Sequence, residues 1–211
     1  MTNEWAIVVL PEIFGVNGFM QSVVDRLGAK HGVPAVAVDF MYAVTGTHAV
    51  YPYTDMEGAH AIAQKVTNEM CMSAFKSAVD TVQAEHPQVT KIVAIGFCMG
   101  GRLAYLAGTD QRVQKIISFY GTRPSEAVAA LAAARAHSEL KVLSFYGGLD
   151  TSIPESDRTN TSNVLTDAGI KCQAITYSDA GHAFMNFERT DRYHEQSAQD
   201  AQNRLDTFLE I

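Results

Sequence analysis

The stretch KIVAIGFCMGGRLAYLAG, residues 91 to 108, decides how the rest of the chain is read. Its first part, KIVAIGF, is a continuous apolar run rich in Val and Ile. A strand covered on both faces of a parallel sheet reads this way, which predicts β structure over 91–97. Its last part has a helical pattern, expected over roughly 98–109. Between them, G-F-C-M-G sets Cys98 in the pattern G-x-nucleophile-x-G. The spacing describes a sharp strand-to-helix turn that lifts one side chain above the sheet. Its neighbours must be glycine or small, or they would collide with adjacent elements. The turn also puts Cys98 at a helix N-terminus, where the dipole and free N–H groups favour a thiolate and an oxyanion. The N–H of Met99 is aimed at the same space. A free cysteine is otherwise a small buried hydrophobe. That reading suits Cys71, within a helical pattern, and Cys172, at a strand start.

Outward from this turn the same alternation repeats. Apolar runs lie at AIVVLP (6–11), PAVAVDF (34–40), VQKIISFY (113–120), KVLSFYG (141–147) and CQAITY (172–177). Helical patterns fall at roughly 18–31, 56–86, 124–137, 155–168 and 191–210. Strand–helix alternation implies right-handed crossovers and a doubly wound, mostly parallel sheet flanked by helices. There is no internal repeat, low-complexity tract or linker, and 211 residues suit one α/β domain over 1–211. In such sheets the ligand site lies at the carboxyl ends of the strands. A candidate residue is therefore expected to follow a strand.

A formal net charge of −7 argues against a nucleic-acid partner, because a phosphate backbone needs a basic face. The opening MTNEWAIVVLPEIFG has Glu4 and no basic residue before its apolar run, so it does not read as a secretory signal. No apolar run approaches a membrane span. Three cysteines, an odd and sparse count, do not make a disulfide framework. The expectation is a soluble, cytoplasmic protein acting on a small molecule, as a monomer or small homo-oligomer. His48, His60 and His86 lack metal-ligand spacing, so neither metal nor organic cofactor is expected.

A thiol nucleophile needs a base, and the base needs an orienting group. In this architecture they follow in the order nucleophile, acid, histidine. Of the histidines downstream, His137 lies in an Ala-rich helical stretch and His194 in a polar terminal helix. His182, in SDAGHAF, alone follows a strand. The acid is expected after the preceding strand, where KVLSFYGGLDTSIP offers Asp150 behind two glycines. Asp150 also suits a helix cap, and Asp179 is nearer to His182 in sequence but reads as a loop residue. Glu12 ends the first apolar run, where a charge is costly unless partnered or functional; the alternative is a loop glutamate reaching solvent.

These residues resemble the dienelactone hydrolase family of α/β-hydrolases. The resemblance rests on PEIFGVNGFM (11–20), GFCMGG (96–101), GGLDTSIP (147–154) and AGHAF (180–184). It implies an α/β-hydrolase fold and catalytic roles for Cys98, Asp150 and His182. It assigns Glu12 a gate: a hydrogen bond holds the resting thiol protonated, then the carboxylate takes its proton when substrate enters. It implies that the backbone N–H groups of Ile13 and Met99 form an oxyanion hole. Against that family the chain begins at what resembles the third strand. Some relatives carry an arginine four residues after the histidine to bind a substrate carboxylate; here that position is Asn186. Residues 45–70 contain no arginine either, although Arg189 lies three residues beyond Asn186. Phe14, Tyr53, Tyr120 and Asn186 are the candidate substrate contacts, with core packing the other reading of the aromatic three. The expected activity is cysteine-dependent hydrolysis of carboxylic esters or lactones. Acyl transfer or thioester hydrolysis by the same triad, and non-catalytic binding on a hydrolase scaffold, are the alternatives.

Overall fold

In the computed structural model, which describes residues 3–211, the strand before Cys98 is β3 (Lys91–Phe97). Met1 and Thr2, counted in the single-domain reading and in the N-terminal segment above, lie outside the described residues. The chain runs β1 (Trp5–Leu10), α1 (Gly18–His31), β2 (Ala35–Ala37), α2 (Phe40–Thr45), α3 (Met56–Ala63), α4 (Asn68–Glu85), β3, α5 (Met99–Ala107) and β4 (Val113–Phe119). It continues α6 (Ser125–Arg135), β5 (Lys141–Gly147), α7 (Glu155–Asp167), β6 (Lys171–Tyr177) and α8 (Glu195–Leu209). The six strands form one sheet in the order β2-β1-β3-β4-β5-β6, and every pairing is parallel. This is the doubly wound, parallel sheet that the strand–helix alternation implies.

Alternation along the strands divides the core into two layers. Ala6, Val8 and Leu10 of β1 face the layer built with Phe75 and Val79 of α4 and Leu103 of α5. Ile7 and Val9 face the other layer, with Met20 and Leu27 of α1 and Leu205 of α8. In that second layer Phe97, Phe119 and Phe145 are register partners on β3, β4 and β5. Their rings stack at 4.8 Å from strand to strand. Removing one such ring costs roughly 3–5 kcal/mol, so this ladder pins the register that sets the strand ends. Lys115 of β4 fastens α8 to the same sheet, its ammonium donating to the carbonyls of Phe208 and Leu209.

Three expectations shift in detail. The helical pattern over 56–86 is two helices, because the Thr67 hydroxyl accepts from the Met70 N–H at 3.1 Å and starts a new one. The run 34–40 yields only three strand residues, since Asp39 caps α2 through the Tyr42 N–H at 3.1 Å. β2 and β6 are sheet edges, so their residues are half-buried or exposed rather than covered on both faces. Among the described residues no helix is long and apolar enough to cross a membrane.

Candidate active site

Cys98 occupies the sharp turn expected between β3 and α5. Its φ of 55° and ψ of −116° lie where side-chain-bearing residues are strained. The glycines explain how the turn fits. A Cβ on Gly96 would strike the Gly100 carbonyl, and one on Gly100 would strike the Leu10 carbonyl. The Gly100 N–H donates to the Pro11 carbonyl at 3.1 Å, so the start of α5 is bound directly to the loop carrying Glu12 and Ile13. The N–H groups of Ile13 and Met99 donate to no acceptor among the described residues. Two backbone donors are thus free on either side of this junction.

Glu12, Cys98, Tyr120, Asp150 and His182 follow β1, β3, β4, β5 and β6 in turn, all at the carboxyl edge of the sheet. Asp150 Oδ2 accepts from His182 Nδ1 at 2.6 Å. Its other oxygen, Oδ1, accepts from the Ser152 N–H at 2.9 Å and the Ser152 hydroxyl at 2.5 Å. The carboxylate is therefore fixed in orientation by the turn that follows it. Burial opposes an Asp150 charge, but His182 and Ser152 outweigh it and hold its pKa below the usual carboxylate value. Burial likewise opposes a charge on His182. The Asp150 hydrogen bond and the nearby Cys98 overcome it and push the imidazole up to about 10. With Nδ1 committed to Asp150, Nε2 is the nitrogen left on offer. Ala183, next to the histidine, has a φ of 63°, and Tyr120 a φ of 40°. Strained backbone is thus concentrated around these strand ends.

Glu12 is 2 % exposed and lies in a polar cluster. Its Oε2 accepts from Asn186 Nδ2 at 2.9 Å and its Oε1 from the Tyr120 hydroxyl at 3.2 Å. No hydrogen bond joins it to Cys98 among the described residues. Burial raises its pKa against the pull of Asn186, His182 and Arg189, so this carboxyl binds a proton more readily than an exposed one. Tyr120 is also buried, and its ring meets His182 edge-on at 5.1 Å. Phe14 is buried and Tyr53 half-buried, their rings edge to face at 4.8 Å. Asn186 is completely buried. Its second amide hydrogen goes to the Tyr53 hydroxyl at 3.1 Å and its oxygen accepts from the Glu188 N–H at 3.1 Å. The Tyr53 hydroxyl donates to Glu188 Oε2 at 2.9 Å and accepts from Asn17 Nδ2 at 2.9 Å.

Asn186 and Tyr120 thus position Glu12, with Tyr53 behind them. Arg189 completes the cluster. Its guanidinium carbon lies 5.7 Å from the Phe14 ring and 5.6 Å from the Tyr53 ring, and its Nη2 is 3.8 Å from Asp191 Oδ2. Ser152 and Glu188 were not among the candidates. For Ser152 the signal was available: an Asp followed two residues on by Ser is the pattern of a side-chain-stabilised turn. The Glu188 link crosses 135 positions of sequence and left no local trace.

Residues 2–211 match the sequence profile of the "Dienelactone hydrolase family". A "Putative carboxymethylenebutenolidase" of Yersinia pestis is 30% identical, with the alignment covering 97% of this chain and 77% of the relative. The "Carboxymethylenebutenolidase" of Pseudomonas putida is 26% identical over 95% of this chain and 83% of its own. Among solved structures, a "Putative Dienelactone Hydrolase" from Klebsiella pneumoniae superposes with a TM-score of 0.80 at 24% identity, covering 98% of this chain and 87% of that one.

Proposed function

The chain belongs to the dienelactone hydrolase family, and from that premise we propose that it hydrolyses carboxylic esters or lactones through Cys98, His182 and Asp150, with Glu12 as the proton acceptor that arms the thiol. The hydrolase class follows from the family and from relatives named as carboxymethylenebutenolidases. One observation carries the residue roles: Asp150 grips His182 Nδ1 at 2.6 Å while Cys98 stands in a strained, glycine-walled turn two strands away.

The steps follow from the protonation states. Glu12, whose burial favours its neutral form, takes the Cys98 proton when substrate displaces water from the site. The thiolate attacks the ester carbonyl, and the oxygen gains negative charge. The N–H groups of Ile13 and Met99 stabilise that oxygen, with each such donor typically worth a few kcal/mol. The intermediate collapses as the carbon–oxygen bond breaks. His182, which holds a proton at neutral pH, gives it to the leaving oxygen from Nε2. The neutral imidazole then takes a proton from water, whose hydroxide releases the acyl group as a carboxylic acid. Glu12 returns its proton to the freed thiolate. Every transfer uses a group already at the strand ends, and Asp150 supports the imidazolium throughout.

The experiment is an intact-protein mass spectrum after brief mixing with p-nitrophenyl esters and a panel of lactones, alongside turnover. The expected result is an acyl adduct mapped to Cys98 in wild type, no adduct in Cys98→Ala, and loss of nearly all hydrolysis in that variant. Hydrolysis persisting in Cys98→Ala sinks the assignment.

A further inference from the structure

On the face of the sheet covered by α1 and α8 there is a cavity of about 270 Å³. Cys98, Asp150 and His182 are not among its lining residues. Part of its lining is apolar: Phe19 and Val23 from α1, Met185, and Ala198 from α8, each less than a tenth exposed. Phe187 and Tyr193, which also line it, are among the few large hydrophobic side chains left exposed, at 47% and 38%. Phe187 is held edge to face against Phe19 at 5.5 Å. Exposed apolar surface beside a cavity is where ligands are commonly met.

Among the lining residues stands one cation. Arg26 lines the cavity, makes no salt bridge among the described residues, and its Nη1 is buried without a hydrogen-bond partner among them. A buried donor on a charged group is seldom left unmatched. The carboxylate nearest in charge influence is Asp206, but that group is already engaged. Asp206 Oδ2 pairs with Lys30 at 2.5 Å, and its Oδ1 with His31 at 3.2 Å and Gln202 Nε2 at 2.9 Å. The other lining groups that could meet an anion, Ser22, Gln199 and Gln202, are neutral.

We propose that this cavity is a second ligand site, for a small monocarboxylate carrying an aryl or short alkyl body. The carboxylate would pair with the Arg26 guanidinium, and the body would lie against Phe19, Phe187 and Tyr193. A planar guanidinium is the side chain suited to bidentate pairing with a carboxylate. The volume lies just below the roughly 300 Å³ at which drug-sized sites begin, which limits the ligand to about one ring and a short chain. The site is set against the catalytic segment. Met185 and Phe187 face the cavity, while Asn186 between them holds Glu12 at 2.9 Å.

The test is calorimetric titration of the full chain with 3-phenylpropanoate, and with 3-phenylpropan-1-ol as the neutral counterpart. Wild type is expected to bind one equivalent of the acid, with the alcohol at least tenfold weaker. Arg26→Gln is expected to weaken the acid at least tenfold and to leave the alcohol unchanged. Phe187→Ala, at an exposed position, is expected to weaken both. Ester turnover in Arg26→Gln reports that the fold is retained. The proposal is overturned by no saturable binding to wild type, by equal binding of acid and alcohol, or by acid affinity that survives both substitutions. None of these outcomes depends on whether Cys98 is the nucleophile.

Discussion

Replacing Asp150 by Asn tests the proposed proton relay more sharply than deleting the side chain, because the structure dictates how the amide must sit. Both donors of Ser152, the N–H at 2.9 Å and the hydroxyl at 2.5 Å, face Oδ1. An asparagine must therefore keep its oxygen there, since its NH₂ would meet two donors. That leaves Nδ2 toward His182 Nδ1, where a carboxylate oxygen now accepts at 2.6 Å. The imidazole can answer only by accepting at Nδ1, which gives up the Nδ1 proton and leaves the one on Nε2. In that form it can neither become an imidazolium without a donor–donor clash nor take a proton from water.

The magnitude can be worked from the imidazole. Its pKa stands at about 10 against an ordinary 6.5. At roughly 1.4 kcal/mol per unit the whole elevation is on the order of 5 kcal/mol. Cys98 shares in it and the histidine is partly solvated, so on the order of 2 kcal/mol belongs to Asp150. Because the folded value is raised, this stability is fully present below about pH 6.5 and is lost as pH rises towards about 10. Asp150→Asn is expected to flatten that decline in the urea midpoint between pH 6.5 and 10. It is also expected to lower kcat/KM for p-nitrophenyl acetate by about 10⁴-fold, the usual consequence of a wrong tautomer in such a triad. Turnover within tenfold of wild type, or an unchanged pH–stability slope, would refute the reasoning.

Glu12→Gln can keep both hydrogen bonds, accepting from Asn186 and donating to the Tyr120 hydroxyl. It is expected to remove a loss of stability that wild type suffers as pH rises from about 4.5, since the raised folded pKa favours the protonated state; pH-dependent thermal melts check this. Limited iodoacetamide treatment followed by peptide mapping is expected to modify Cys98 first. Cys71 is 2% exposed, with burial pushing its thiol up to about 12, so dominant labelling there would count against the site. Gly100→Ala forces a Cβ against the Leu10 carbonyl and is expected to cost about 1–3 kcal/mol in a denaturant titration while abolishing turnover; unchanged activity would remove the steric account of the turn. Neutral esters and lactones are expected to outpace an anionic lactone at least tenfold in kcat/KM, about 1.4 kcal/mol, because position 186 holds a neutral amide and Arg189 lies over the Phe14 and Tyr53 rings, 3.8 Å from Asp191. The reverse order in a side-by-side assay would make Arg189 the first residue to replace.

How far the sequence could be read depended on the range of each interaction. The β3–Cys98–α5 turn was legible because its reason is local: Gly96 and Gly100 are required by carbonyls within a few residues or on the next strand. His182 and Asp150 were legible because chain order in a parallel sheet places successive strand ends side by side. Edge strands were misjudged, because Ile and Val in β2 and β6 look the same whether or not a neighbour covers them. The least legible part was the support of Glu12. Asn186 drew notice only as the place of a missing arginine, a potential substrate contact. Its hydrogen bonds show a different use: both amide hydrogens are spent on Glu12 and Tyr53, and its oxygen on the Glu188 N–H. An arginine at that position would bring a full charge to the same carboxylate and hold it ionised. A neutral amide leaves its basicity to be set by burial. Exchanging arginine for asparagine there therefore changes the proposed base as well as the proposed pocket, and Asn186→Arg is expected to lower the pH at which Glu12 releases its proton whatever it does to substrate choice.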